Sequence, residues 1–197
     1  MAQQPETPVS LVVGLGNPGR KYAGTRHNAG FWFTDELARR YLASFGHERK
    51  FEGALAKIRC ADRQIILLAP ATYMNHSGRA VQAVVNFFRL PVEAVLVAHD
   101  EIDLPPGTVR LKRGGGHGGH NGLKDTAKAL GSNAFARLRV GVGHPGNRDD
   151  VIPYVLETAG RSEQAAIERA IEDAAAVVEY LACAEWNKAF QALHTND

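Results

Sequence analysis

The 197-residue sequence predicts an α/β fold: a single three-layer domain in which a mixed, largely parallel, twisted sheet is flanked by helices. Two patterns predict it. Short β-branched runs alternate with longer segments whose apolar residues return every three or four positions, and two of the runs are separated by only a few polar residues, as in a hairpin. No repeat, low-complexity tract or linker interrupts residues 10–195, which puts residues 11–197 in one domain behind a flexible tail at residues 1–10.

Six strands are expected, the first at residues 11–15. Residues 53–59 and 64–69 form a hairpin turning at Ala61-Asp62-Arg63, and residues 94–98, 109–112 and 138–142 complete the set. Helices lie between them. Ala29, Phe33, Leu37 and Tyr41 define one apolar stripe, Val81, Val85 and Phe88 a second, and Leu123, Ala127 and Leu130 a third. From Arg161 onward, Ile167, Ile171, Ala174, Val178 and Leu181 share a stripe opposite Glu168, Glu172, Asp173 and Glu179, as in terminal amphipathic helices.

With 45% apolar and 22% charged residues the composition is that of an ordinary globular domain with a core of its own. No apolar run approaches the ~18 residues of a membrane span, and residues 1–10 lack the basic-then-apolar order of a secretory signal. Cys60 and Cys183 lie in apolar segments and are expected to be buried thiols in a reducing compartment, the cytoplasm. Charge is unevenly distributed along the chain. Residues 104–150 carry 8 basic and 3 acidic side chains, whereas residues 151–197 carry 3 and 8. A basic segment among glycines and asparagines suits a polyanion such as a nucleic-acid backbone, and equally a solvated face.

In open α/β sheets ligands bind beyond the carboxyl ends of the strands. There the sequence places Gly16-Asn17-Pro18-Gly19 with Tyr22 and Thr25-Arg26-His27-Asn28, then Thr72-Tyr73-Met74-Asn75, then His99-Asp100-Glu101, then a glycine run from Gly114 to Gly122 containing His117, His120 and Asn121. Gly14-Leu15-Gly16-Asn17-Pro18-Gly19 formally matches the dinucleotide fingerprint. Its helix begins only near His27 or Asn28, too late for amides to cradle a pyrophosphate, and Asp35 and Glu36 sit inside a helix rather than at a strand end. His117, His120 and His99 have only a loose zinc-like spacing. No G-x-S-x-G is present and neither cysteine lies in a polar loop, so water is the better nucleophile. A histidine oriented by a carboxylate, such as His27 with Asp100, can activate it. The asparagine amides can bind carbonyl or ribose oxygens without adding charge.

Taken together, residues 13–19, Tyr22, residues 25–30, residues 72–78, residues 99–107, residues 114–125 and residues 137–146 resemble the bacterial peptidyl-tRNA hydrolase family over nearly the whole chain. The resemblance implies a cytoplasmic, monomeric, metal- and cofactor-independent enzyme that cleaves the ester between a peptide and the terminal ribose of tRNA. It assigns His27 as the catalytic base, Asp100 as its support, and Asn17 as the group distinguishing blocked from free aminoacyl ends; the neutral amide of Asn17 is expected to do so by accepting the N–H of the acylated amine. Tyr22, Tyr73, Asn75 and Asn121 fall on positions contacting the tRNA end, with Met74 and His120 close by, and Lys112 and Arg139 on positions facing its phosphates. Residue 73 is often phenylalanine in the family and is tyrosine here, which keeps the aromatic face and adds a hydroxyl.

Overall fold

The computed structural model describes residues 6–194. Among these residues the sheet has seven strands in the order β2-β3-β4-β1-β5-β7-β6: β1 (Leu11–Gly14), β2 (Gly46–Glu48), β3 (Gly53–Cys60), β4 (Arg63–Pro70), β5 (Val95–Glu101), β6 (Val109–Arg113) and β7 (Ala136–Gly141). The four central strands, β4-β1-β5-β7, are parallel; β2, β3 and β6 add on antiparallel at the two edges. The sheet is therefore mixed with a parallel centre. Expected were six strands; β2 is the addition. Its Gly-His-Glu is exposed throughout and has no apolar face to reveal it. The hairpin turns at Ala61 and Asp62 with φ of 48° and 60°, and Cys60 pairs with Arg63. Positive φ at both central residues matches the right-handed twist of the flanking strands.

Helices cover both faces. Strand residues alternate between them, so Val12 and Ala98 face α1 (Ala29–Arg40) and α5 (Arg161–Ala176), while Leu11, Val13 and Val97 face α2 (Ser77–Phe88) and α3 (Asn121–Leu130). On the first side Phe33, Leu37, Ile167 and Ile171 are buried, on the second Val81, Val84 and Leu123. The expected acidic stretch forms α5, α6 (Val178–Ala182) and α7 (Trp186–His194), after a short α4 (Val151–Val155). Among the described residues no helix is long and apolar enough to cross a membrane.

Two expectations are corrected. Residues 1–5 of the expected flexible tail, and residues 195–197 at the other end, lie outside the described residues; residues 6–10 are anchored. The Val9 N–H donates to the Leu181 carbonyl, Trp186 Nε1 donates to the Thr7 carbonyl, Arg113 pairs with Glu6, and Val9 is buried. Backbone pairing and a buried valine hold this segment despite its polar composition. Cys60 is buried as expected, but Cys183 is exposed. It caps the end of α6, where Ala184 at φ 59° turns the chain and the apolar stripe passes to Trp186.

Candidate active site

The order of the sheet puts a topological switch at β1, whose parallel neighbours β4 and β5 lie on opposite sides. The site is built where these strands end. Beyond β1, the chain does not enter a helix directly. A turn at residues 26–28 precedes α1, and Gly14 and Gly30 meet backbone to backbone: a Cβ on Gly14 would strike the Gly30 carbonyl, and one on Gly30 the Ala98 carbonyl and the Leu15 backbone. These glycines serve helix–sheet contact, so the fingerprint's spacing is accounted for without a pyrophosphate.

That close contact brings residues 14–19 against the turn carrying His27. The Asn17 N–H donates to Asn28 Oδ1 at 2.8 Å and Asn28 Nδ2 donates back to the Asn17 carbonyl at 3.0 Å. The Asn17 side chain is also fixed: its Oδ1 accepts the Met74 N–H at 2.8 Å. Residues 14–19, the His27 turn and the Tyr73–Asn75 segment are thereby locked together. The Asn17 Oδ1 expected to accept a substrate N–H thus already holds one backbone N–H, with its second lone pair left for that role. The amide nitrogen Nδ2 is the side-chain atom without a partner among the described residues.

His27 Nδ1 lies 2.9 and 3.0 Å from the two oxygens of Asp100, at the end of β5. The Asp100 side chain is 2% exposed and that of His27 13%. With Nδ1 directed at the carboxylate, Nε2 is on the opposite side of the ring. Burial acts to raise the Asp100 carboxyl, but the imidazoles of His27 and His120 outweigh it and hold the group well below the ordinary carboxylate range. Burial likewise acts to lower His27, and Asp100, by its charge and its hydrogen bond, overcomes this and holds the imidazole above its ordinary 6.5.

His120 is part of the same network. Its Nε2 lies 2.9 Å from Asp100 Oδ1, and its Nδ1 accepts the Leu123 N–H at 3.3 Å, capping α3. An Nδ1 that accepts leaves the proton on Nε2, so His120 donates to Asp100. Both nitrogens are used within the protein. His99 adds a third bond to the same residue, donating Nδ1–H to the Asp100 carbonyl at 2.7 Å, with its ring T-shaped against His120 at 5.0 Å. Three histidines therefore converge on one aspartate. His27, Asp100 and His120 offer ligand atoms within 4.8 Å of one another. A metal on His120 Nε2 would require the other tautomer and abolish the cap on Leu123, so their donor chemistry fits hydrogen bonding better than coordination. The zinc-like reading of His117 with His99 also fails: His117 Nδ1 accepts the Gly119 N–H and His99 is buried on the Asp100 carbonyl.

The remaining predicted residues surround this centre unequally. Tyr22 and Tyr73 form an edge-to-face pair with centroids 6.3 Å apart, and Tyr73 is 58% exposed. Asn75 and Asn121, both exposed, lie at the starts of α2 and α3. Met74 is buried, and the position facing it must be Gly122, whose Cβ would lie 2.5 Å from the Met74 sulfur. Its side chain supports the site from within the core rather than lining it. Lys112 is exposed at the end of β6, while Arg139 is paired through Nε with Glu101 Oε2 at 2.9 Å. Buried Arg137, not singled out from the sequence, donates to the carbonyls of Gly114 and Gly115 and fixes one end of the glycine loop. Arg26 was also missed. It stacks on Tyr154 at 4.0 Å and pairs with Glu163 at 3.0 Å, joining the His27 turn to α4 and α5.

Fold and site together define an α/β enzyme with an imidazole oriented by a buried carboxylate at the topological switch point. Comparison narrows this class. The family model for peptidyl-tRNA hydrolase matches residues 11–197. The peptidyl-tRNA hydrolase of Halorhodospira halophila is 59% identical over 184 residues, covering 93% of this chain and 95% of that protein. That of Alkalilimnicola ehrlichii is 54% identical over 196 residues and 99% of each. The crystal structure of peptidyl-tRNA hydrolase from Acinetobacter baumannii superposes with a TM-score of 0.91 at 45% identity over 94% of each chain. The chain belongs to the peptidyl-tRNA hydrolase family, and its activity is hydrolysis of the ester joining a peptide to tRNA.

Proposed function

We propose that His27 is the general base of this hydrolysis. The observation that carries the reading is the contact of His27 Nδ1 with both oxygens of buried Asp100, on a side chain that retains partial exposure. Asp100 accepts Nδ1–H, which leaves the Nε2 lone pair to take a proton from water. The resulting hydroxide attacks the ester carbonyl, and the imidazolium formed is stabilised by the carboxylate. His27 then returns the proton to the departing ribose oxygen, so no net proton is lost in the step.

Asn17 supplies selectivity through Nδ2. An acylated α-amine brings a carbonyl oxygen that this N–H can reach as donor; a free α-ammonium brings only donors and a charge that is costly to desolvate beside another donor. Tyr22, Tyr73, Asn75 and Asn121 hold the tRNA end, the tyrosines by stacking and the asparagines by their amides. Lys112 contacts backbone phosphate, and Arg139 does so while held by Glu101. The enzyme works as a monomer in the cytoplasm, where translation generates the substrate, and uses no metal.

Release of the blocked amino acid from N-acetyl-aminoacyl-tRNA, measured with chelator present, tests the base. The wild type should cleave this substrate and spare the unacetylated one. His27→Ala should lose about a hundred- to ten-thousand-fold in turnover while still binding tRNA. Near-normal turnover by that variant would remove His27 as the base.

A further inference from the structure

The two asparagines proposed to hold the tRNA end stand on different helices, and one side chain ties those helices together. Asp125 Oδ2 accepts the Gly78 N–H at 2.8 Å. Gly78 is in the first turn of α2, three residues after Asn75, and Asp125 is on α3, four residues after Asn121. The helices touch at this point. A Cβ on Gly78 would collide with the Asp125 carbonyl and lie 2.8 Å from the Ala129 Cβ.

The first turn of α2 lacks a side-chain cap of its own, although the Ser77 N–H bonds back to the Met74 carbonyl. His76, at the N-cap, makes no side-chain cap bond, and no acidic residue occupies the first turn. Helix amides left unpaired there carry the positive end of the macrodipole and favour an anion. Asp125 supplies both the acceptor and the charge from the neighbouring helix.

We propose that Asp125 is a positioning residue for substrate binding: it caps α2 from α3 and so fixes the spacing of Asn75 and Asn121. This rests on the reading of those asparagines as ligands of the tRNA end. Asp125 has no contact with the His27–Asp100 pair, whose bonds come from β5, the His27 turn and His120. Its loss should therefore act on binding rather than on the base.

The test measures steady-state cleavage of N-acetyl-aminoacyl-tRNA by Asp125→Ala, Asp125→Asn, Asn75→Ala and Asn121→Ala, with thermal midpoints for each. Asp125→Ala should raise KM about tenfold, as expected when binding groups lose their spacing, with kcat within about twofold of wild type and the pH profile unmoved. Asp125→Asn, which keeps an acceptor for the Gly78 N–H, should recover most of the KM. If Asn75→Ala and Asn121→Ala raise KM but Asp125→Ala does not, the positioning role is wrong while the asparagine reading stands. If neither asparagine variant raises KM, the asparagine reading itself fails. A fall in kcat and thermal midpoint for Asp125→Ala, with no recovery in Asp125→Asn, would overturn the proposal in favour of a purely structural residue.

Discussion

His120 Nε2 lies 2.9 Å from Asp100 Oδ1, the oxygen that His27 Nδ1 also approaches at 2.9 Å. One carboxylate oxygen thus serves two imidazoles, and the second donor draws on the negative charge that makes the first imidazole more basic. Removing His120 leaves Asp100 a stronger partner for His27 but a less well-held one. His120→Ala should lower kcat about ten- to a hundredfold through lost positioning, and move the acid limb of the kcat profile to higher pH. A pH–rate series on the variant measures both effects; an acid limb moving to lower pH would contradict this division of charge.

Asp100 gives a prediction of opposite sign. Two influences act on His27: burial lowers its pKa, and Asp100 more than offsets that. In Asp100→Asn the charge is gone and burial remains, so the His27 pKa should fall below 6.5 and the acid limb should move to lower pH. Turnover should fall about a hundredfold or more, because neither the Nδ1–H tautomer nor the imidazolium is then stabilised by a carboxylate. Retained activity with an unmoved limb would show that the pair does not set the basicity of the catalytic group.

Selectivity can be separated from catalysis at Asn17. Its Oδ1 holds the Met74 N–H at 2.8 Å, a bond that an aspartate oxygen can keep. Asn17→Asp therefore replaces the Nδ2 donor by an anionic acceptor with little change in shape. The variant should cleave N-acetyl-aminoacyl-tRNA about tenfold or more less efficiently, and its ratio of blocked to unblocked cleavage should fall, since a carboxylate attracts the free α-ammonium. Competition between the two substrates reads the ratio directly, and an unchanged ratio would reject Nδ2 as the discriminating atom.

Much of this site was legible because strand ends are legible. The runs at residues 11–15 and 94–98 end in Asn17 and in His99-Asp100, so the rule that ligands gather there made His27 with Asp100 a candidate pair, and the family resemblance assigned their roles. The late start of the first helix was equally visible, because Pro18, Gly19 and Gly24 interrupt the period before Ala29. What the sequence withheld was partnership between distant backbone and side chain. Asn17 Oδ1 finds a backbone N–H 57 residues away, His120 meets Asp100 across a glycine loop whose path its composition does not specify, and Asp125 caps a helix it does not belong to. Strand β2 escaped notice for a different reason. Periodicity reports burial, and a three-residue exposed edge strand buries nothing on either face.

His99 links the site to acid stability. It is 2% exposed, and burial first, with His120 adding to it, pushes its pKa down to about 3. The folded protein thus holds this imidazole neutral, while in the unfolded chain it protonates near 6.5. The unfolded state binds the extra proton between these values, so the stability contributed by neutral His99 is complete above 6.5 and is lost as pH falls toward about 3, by up to ~1.4 kcal/mol per pH unit. Asp100, depressed in the fold, adds a loss at lower pH; His27, raised in the fold, works the other way, favouring the folded state as pH falls through its window. His99→Asn isolates the first contribution, because its side-chain amide can still donate to the Asp100 carbonyl but does not titrate. Urea unfolding of both proteins at pH 7 and pH 4 should show the variant less stable at pH 7 and losing less between the two conditions. Equal losses would place the acid sensitivity in other groups and leave His99 with only its hydrogen bond to Asp100.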